Sequence, residues 1–112
     1  MPAGTAEFRY IAAQVPISNP LYRFADAIVQ GAPDNAGLYA LWQDGDLIYV
    51  GRAVSIRERL IDHLQRRVCP CADQATHYSW ELSLRPATRE VELLEQFKKR
   101  HGRLPRCNEE AA

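Results

Sequence analysis

The chain has 112 residues, 46% of them hydrophobic and 25% charged, which suits one globular domain with a single core. Its 14 lysine and arginine residues balance 14 aspartate and glutamate residues, and this net charge of zero argues against a general polyanion binder. No stretch approaches the roughly 18 apolar residues of a membrane span, the N-terminus lacks a secretory pattern, and the odd number of cysteines, 3, does not indicate a disulfide framework. We therefore predict one domain over 1–112 in a reduced, cytoplasmic protein.

The N-terminal part, residues 1–36, is predicted to form an arm followed by a helix. The segment FRYIAAQVPI can be a short strand or an extended arm. A helix is expected after it, because Asn19 is a favoured N-cap, Pro20 suits the first helical position and Gly31 ends the pattern. The apolar stripe that would pack on the sheet consists of Leu21, Phe24, Ala25 and Ile28.

The segments GLYALW and LIYVG are rich in strand formers and flank an Asp-Gly turn signal at 44–45, which predicts a β-hairpin. A two-residue loop would place Tyr39 and Tyr49 on opposite faces of the hairpin. A three-residue loop over 43–45 would pair them and place them on one face. Both faces are apolar, so the hydrophobic pattern does not choose between the two registers.

The segment SIRERLIDHLQRRV is the strongest helix prediction. Ser55 and Glu58 form a capping-box pattern at its start. Apolar residues recur at helical spacing, at Ile56, Leu60 and Leu64. At about 100° per residue, one edge of this apolar stripe carries Arg59, His63 and Arg66. A side chain at such an edge is anchored by packing and can still reach into a cleft.

The segment HYSWELSL predicts a third strand, and a final helix is expected from Pro86 to about His101, ended by Gly102. The core face of that helix is predicted to contain Val91, Leu94 and Phe97. The order of elements predicts an α/β sandwich, in which helices flank a small, mainly antiparallel three-stranded sheet.

Basic residues concentrate in two short stretches of the sequence. They are Arg52, Arg57, Arg59, Arg66 and Arg67, and then Lys98, Lys99, Arg100, Arg103 and Arg106. Almost all are arginine, whose guanidinium can bind two phosphate oxygens at once. The stretches therefore indicate either a phosphate-binding surface or a solvated face of the fold.

The two tripeptides of the hairpin and the helix after them resemble the GIY-YIG nuclease family. GLY and YVG place their tyrosines ten positions apart, and RAVSIRERLIDHL follows directly. The segment LLEQFKKRHGRLPRCN is similar to the last motif of the family, in which a proline and an asparagine follow a glutamate. The resemblance covers residues 37–108, the motif-bearing core.

The resemblance implies a metal-dependent endonuclease that hydrolyses phosphodiester bonds of DNA. Tyr39 would take a proton from the attacking water, Tyr49 would orient that water, and Arg59 would stabilise charge on the phosphate. His63 would relay a proton or hold Tyr39 by a hydrogen bond. Because the ordinary pKa of tyrosine is about 10, Tyr39 would need Arg59 or the metal nearby to favour the phenolate.

The resemblance also implies one divalent cation, Mg²⁺ or Mn²⁺, held by a glutamate and several waters. The motif spacing favours Glu95. On a helical projection centred on Leu94, Glu95 lies at the edge of the apolar face, Glu90 close to that face and Glu92 towards solvent. Glu90 and Glu92 therefore stay open as alternatives.

The implied substrate is DNA, in repair or recombination, with RNA as the alternative. The residues predicted to contact it are Arg52, Arg57, Arg66 and Asn108, and Asn108 can instead brace the site. Two other functions stay open: a nucleic-acid-binding module of the same fold with little catalysis, and a nuclease subunit that needs a partner chain or a second copy of itself.

Overall fold

The computed structural model describes residues 17, 20–66 and 68–111. Its elements are β1 (Tyr22–Arg23), α1 (Asp26–Val29), β2 (Gly37–Gln43), β3 (Asp46–Ala53), α2 (Ile56–Arg66), a 3₁₀ turn (Ala72–Gln74), β4 (His77–Leu82), α3 (Pro86–His101) and α4 (Arg106–Ala111). The predicted α/β sandwich is confirmed, with four antiparallel strands in the order β1-β4-β2-β3 instead of three. None of the described helices is long and apolar enough to cross a membrane.

The extra strand β1 comes from the segment predicted to be the N-terminal helix. The helix expected between Asn19 and Gly31 spans only Asp26–Val29, so this prediction is wrong in its first half. Asn19 and nearly all of the arm predicted before it lie outside the described residues. Tyr22 instead pairs with Tyr78 of β4, and the centres of their rings are 5.4 Å apart. Packing of aromatic rings at the sheet edge outweighs the local helix signal.

Strands β2 and β3 form the predicted hairpin, but in neither of the two predicted registers. The turn at 44–45 has two residues with φ of 49° and 91°, as in a type I′ turn. Strand β3 then contains a β-bulge with Ile48 as the extra residue, so that Leu41 pairs with Tyr49. Because Leu41 and Tyr39 are two residues apart on β2, Tyr39 and Tyr49 lie on the same face of the sheet. The bulge, rather than a three-residue loop, produces this arrangement.

Helices cover both faces of the sheet. The core under α1 and α2 contains Val29, Ala32, Tyr39, Leu41, Ile48, Ile56, Leu60, Cys71, Ala72, Tyr78 and Cys107. The core under α3 contains Ile17, Leu38, Ala40, Trp42, Val50 and Leu93. The predicted cap of α2 is confirmed, since the Glu58 N–H donates to the hydroxyl oxygen of Ser55 at 3.2 Å.

The apolar side of α3 is centred one residue earlier than predicted. Leu93 is 5% exposed, whereas Val91, predicted to lie in the core, is 53% exposed. A projection centred on Leu93 places Glu90 beside the buried side and Glu95 about 200° away, towards solvent. The helix ends at Gly102, which has a left-handed φ of 78°, as predicted.

A disulfide joins Cys71 to Cys107, so the prediction of a fully reduced chain is wrong for this pair. The odd number of cysteines arises because Cys69 is free. The bond spans a sequence separation of 36, and closing a loop of that length stabilises a fold by about 4 kcal/mol in the chain-entropy picture. It attaches α4 covalently to the segment that follows α2.

Candidate active site

Tyr39, Tyr49 and His63 form a cluster of rings on the face of the sheet that α2 covers. The Tyr39 hydroxyl and Nε2 of His63 are 2.8 Å apart and share a hydrogen bond. The ring centre of Tyr49 lies 6.0 Å from that of Tyr39 and 5.6 Å from that of His63. The structure therefore brings together three of the residues that the sequence predicts to be catalytic.

The glycines of the two tripeptides make room for this cluster. Gly51 pairs with Tyr39, and a Cβ at Gly51 would lie 2.5 Å from the hydroxyl oxygen of Tyr39. A Cβ at Gly37 would collide with the backbone oxygen of Glu81 and lie 2.8 Å from the Ile56 side chain. Any larger residue at 51 would displace the Tyr39 ring, and any larger residue at 37 would separate β2 from β4 and α2.

Burial controls the protonation of Tyr39 and His63. Tyr39 is 1% exposed, and burial together with Tyr49 raises its pKa above the ordinary value, although Arg59 acts in the opposite direction. Burial also lowers the pKa of His63 to about 4, and Arg59 adds to this decrease. Both side chains are therefore uncharged at neutral pH. Arg59 alone does not favour the phenolate of Tyr39, because desolvation outweighs the nearby guanidinium.

The pKa of His63 predicts a pH-dependent stability. In the unfolded chain the imidazole binds a proton below about pH 6.5, whereas in the folded chain it stays neutral until about pH 4. The free energy of unfolding should therefore fall by about 2 kcal/mol between pH 7 and pH 5 because of this group. Urea unfolding at the two pH values should show a smaller decrease in His63→Gln. His101→Gln, at an exposed histidine, should behave like the wild type.

Arg59 lies beside the tyrosines with its guanidinium partly open to solvent. Its side chain is 38% exposed and forms an ion pair with Asp62 at 3.7 Å. It is close enough to Tyr39 to lower the pKa of that hydroxyl. A guanidinium that is held on one side and open on the other can bind a phosphate group. Arg59 thus completes a four-residue site with Tyr39, Tyr49 and His63.

Glu95, the predicted metal ligand, makes no contact with this site in the part of the chain that the structure describes. It lies on the exposed side of α3, which packs on the opposite face of the sheet from the tyrosines. Glu92 forms an ion pair with Arg89 at 3.3 Å, and Glu90 is half-buried. Glu95 is open to a cation, but it can approach the tyrosines only past the edge strand β3. Glu95 and Arg59 therefore belong to helices on opposite faces of the sheet.

The three arginines predicted to contact DNA differ in how free their side chains are. Arg52 is exposed, and because it pairs with Leu38 it lies on the α3 face of the sheet. Arg57 is partly buried, and its Nε donates to the carbonyl of Ala32 at 2.9 Å. Arg66 ends α2, and its side chain is outside the described part of the structure. Arg57 therefore also supports the fold, whereas Arg52 is free to meet a phosphate.

Asn108 braces the edge strand that carries Tyr49. Its Oδ1 accepts the N–H of Val50 at 2.9 Å, and its Nδ2 donates to the Val50 carbonyl at 2.9 Å. Both ends of the amide are occupied, which favours the bracing alternative over the predicted contact with DNA. The disulfide between Cys71 and Cys107 fixes the same short helix. The sequence did not predict this bond, because local spacing does not reveal which cysteines pair.

No protein-family model matches the sequence. The chain is 37% identical over 41 residues to UvrABC system protein C of Hydrogenobaculum sp. (strain Y04AAS1), a match that covers 37% of this chain and only 7% of that protein. The GIY-YIG N-terminal endonuclease domain of UvrC from Thermotoga maritima, bound to magnesium as its catalytic divalent cation, has a TM-score of 0.50 to this chain at 20% identity. That similarity covers 67% of this chain and 86% of the domain.

A point mutant of the same Thermotoga maritima domain, also bound to its divalent cation, has a TM-score of 0.51 at 19% identity, with the same coverage of 67% and 86%. Structural similarity at identities this low establishes the fold alone. The two tyrosines, the arginine and the histidine that were predicted to be catalytic also lie close together in this structure. The resemblance inferred from GLY, YVG and the helix that follows them is therefore confirmed: this chain has the fold of the GIY-YIG endonuclease domain.

Proposed function

We propose that the chain is a metal-dependent endonuclease that hydrolyses phosphodiester bonds of DNA. The observation that carries the proposal is the buried Tyr39–His63 hydrogen bond of 2.8 Å, with Tyr49 and a partly exposed Arg59 beside it. A buried phenol paired with a neutral imidazole is suited to moving a proton, and a guanidinium at its edge is suited to a phosphate.

Tyr39 and His63 would act together as the general base. The hydroxyl of Tyr39 is neutral at rest, so it can accept a proton from water only while it passes its own proton to another group. Nε2 of His63 is uncharged and 2.8 Å away, which makes it the acceptor for that proton. Tyr49, whose ring contacts both side chains, would orient the attacking water.

Arg59 would bind the non-bridging oxygens of the scissile phosphate. Negative charge increases on these oxygens as water attacks, and a guanidinium placed in advance stabilises it most in the transition state. The ion pair with Asp62 restricts the side chain of Arg59 before the substrate arrives. The role depends on hydrogen bonds in a fixed geometry, so lysine would be a poor replacement.

Glu95 would hold the divalent cation. A hard cation such as Mg²⁺ or Mn²⁺ binds one or two carboxylates and keeps several waters, and Glu95 is an exposed carboxylate without an ion pair in the described residues. The cation would stabilise charge on the phosphate and on the leaving oxygen, which requires the substrate to extend past the edge strand β3 between Arg59 and Glu95.

DNA is the proposed substrate, and a repair or recombination role follows from the similarity to UvrC. A partner chain or a second copy of this chain would supply the choice of target. A cytoplasmic location belongs to the same proposal. In the cytoplasm the Cys71–Cys107 disulfide would be exposed to cellular thiols that reduce disulfides.

Cleavage of plain, branched and damaged DNA, and of RNA, tests the proposed activity. We expect cutting of DNA with Mg²⁺ or Mn²⁺, no cutting with a chelator, and loss of cutting in Arg59→Ala. Binding of DNA without cleavage of any substrate would favour the binding module instead. Cleavage that appears only after a partner protein is added would favour the subunit.

Arg52 provides a test of the proposed DNA-binding surface. Arg52→Ala should weaken DNA binding and reduce the slope of log K against log salt by about 1, because one phosphate contact is lost. Arg23→Ala is the matched control, since Arg23 is also exposed but lies on β1, at the opposite edge of the sheet. The same slope in Arg52→Ala as in the control would mean that this arginine belongs to a solvated face.

A further inference from the structure

The disulfide between Cys71 and Cys107 has no role in the mechanism above. It joins the start of the 3₁₀ turn that follows α2 to the short helix α4. Cys71 is 8% exposed and Cys107 is 0% exposed, and both belong to the core cluster that also contains Tyr39. A bond that can be reduced therefore lies in the same core as the proposed general base.

The helix α4 depends on its contacts with the rest of the fold. It has six residues, and isolated helices shorter than about 12–15 residues are marginal in water. Apart from the disulfide, α4 is held by hydrogen bonds of two side chains. The guanidinium of Arg106 donates to the side-chain oxygens of Gln43 and Gln74, and the amide of Asn108 contacts β3. The disulfide is the covalent cross-link among these contacts.

Asn108, the residue after Cys107, connects α4 to the site through the edge strand β3. An edge strand has backbone groups that no neighbouring strand can pair. The side chain of Asn108 bonds both the N–H and the carbonyl of Val50. Val50 lies directly between Tyr49 and Gly51 on β3. A displacement of α4 would therefore reach Tyr49 through the backbone of its own strand.

We propose that the Cys71–Cys107 disulfide is a redox switch of the site. The oxidised form holds Asn108 against β3 and keeps Tyr49 in position for cleavage. Reduction releases α4, loosens the contact with Val50 and slows cleavage. The effect on cleavage rests on the proposed nuclease function, whereas the release of α4 does not depend on it.

The reductant is a dithiol, and the exchange balances with it. One thiolate of the dithiol attacks the sulfur of Cys71, the more exposed of the two residues; the S–S bond breaks, and the sulfur of Cys107 leaves as a thiolate and takes up a proton. The second thiol of the reductant then attacks the mixed disulfide, so that Cys71 becomes a thiol and the dithiol becomes a disulfide. Free cysteines pack like small hydrophobic residues, so the core can persist while the cross-link is lost.

Amide hydrogen exchange with and without dithiothreitol tests the release of α4. After reduction the N–H of Val50 should exchange at least about 10-fold faster, because its bond to Asn108 opens more often. The N–H of Leu60, buried in α2, should keep its protection. Cys69→Ser is the matched control, since Cys69 is the free cysteine and its loss should leave the response unchanged. Equal protection of Val50 in both forms, or loss of protection at Leu60 as well, would overturn the proposal.

Cleavage of DNA tests the effect on the site. Reduction should slow cutting by the wild type about 10–100-fold, because a displacement of about 1 Å in a catalytic group can cost about 10²-fold. Cys71→Ser should cut slowly with or without dithiothreitol. An unchanged rate after reduction of the wild type would overturn the switch.

Asn108→Ala tests the route through β3. This variant should cut slowly in the oxidised form, and reduction should slow it no further, because the contact that the disulfide maintains is already absent. A further decrease as large as that of the wild type would overturn the route. If no form cuts any substrate while the exchange results are as expected, the proposed nuclease function fails and the release of α4 stands.

Discussion

Replacing Tyr39 by phenylalanine is expected to slow DNA cleavage by a factor of about 10²–10⁴, the usual effect of losing a general base. The change removes only the hydroxyl, which is 2.8 Å from Nε2 of His63. Without it, the proton of the attacking water has no acceptor in this position and no path to His63. Single-turnover cleavage with saturating Mg²⁺ measures the effect on chemistry apart from product release.

The same substitution should lower the free energy of unfolding by about 1–3 kcal/mol, because the buried Nε2 of His63 loses its partner. Tyr78→Phe is the matched control. Tyr78 is also 1% exposed, and its hydroxyl donates to the carbonyl of Ile28 at 2.9 Å, away from the site. Urea unfolding should show a loss in both variants, whereas only Tyr39→Phe should lose cleavage. Near-wild-type cleavage by Tyr39→Phe would remove the hydroxyl from the mechanism.

Signals that act over a few residues were sufficient for much of the site. The cap at Ser55, the spacing of Ile56 and Leu60, and the Asp-Gly turn at 44–45 predicted the helix and the hairpin that hold the cluster. Arg59 and His63 were expected together because residues four apart lie on one side of a helix. These predictions depend on local geometry, which the sequence contains directly.

Features that depend on distant contacts could not be predicted. The bulge at Ile48 allows Tyr39 and Tyr49 to share a face, but both faces of the hairpin are apolar and neither register was excluded. The pairing of Tyr22 with β4 and the Cys71–Cys107 bond join segments far apart in the chain. The pKa of Tyr39 depends on how deeply the fold buries it, which local sequence patterns do not contain.

Glu95→Gln is expected to abolish Mg²⁺-dependent cleavage while the melting temperature stays close to that of the wild type. The change keeps the size of the side chain and removes the negative charge that a hard cation needs. Glu95 is exposed on α3, so its replacement disturbs no packing. DNA binding should be unchanged or slightly tighter, because one negative charge of the chain is removed.

Two neighbouring carboxylates on α3 serve as the control and the rival ligand in this test. The helix packs on the face of the sheet opposite the tyrosines. Glu92→Gln is the matched control: Glu92 already has an ion pair with Arg89, and its loss should leave cleavage intact. Glu90 is half-buried beside Leu93 and is the rival ligand. Cleavage rates and calorimetric Mg²⁺ binding of the three variants should single out Glu95. Normal cleavage by Glu95→Gln together with an inactive Glu90→Gln would instead place the cation one turn earlier on α3, against the motif spacing.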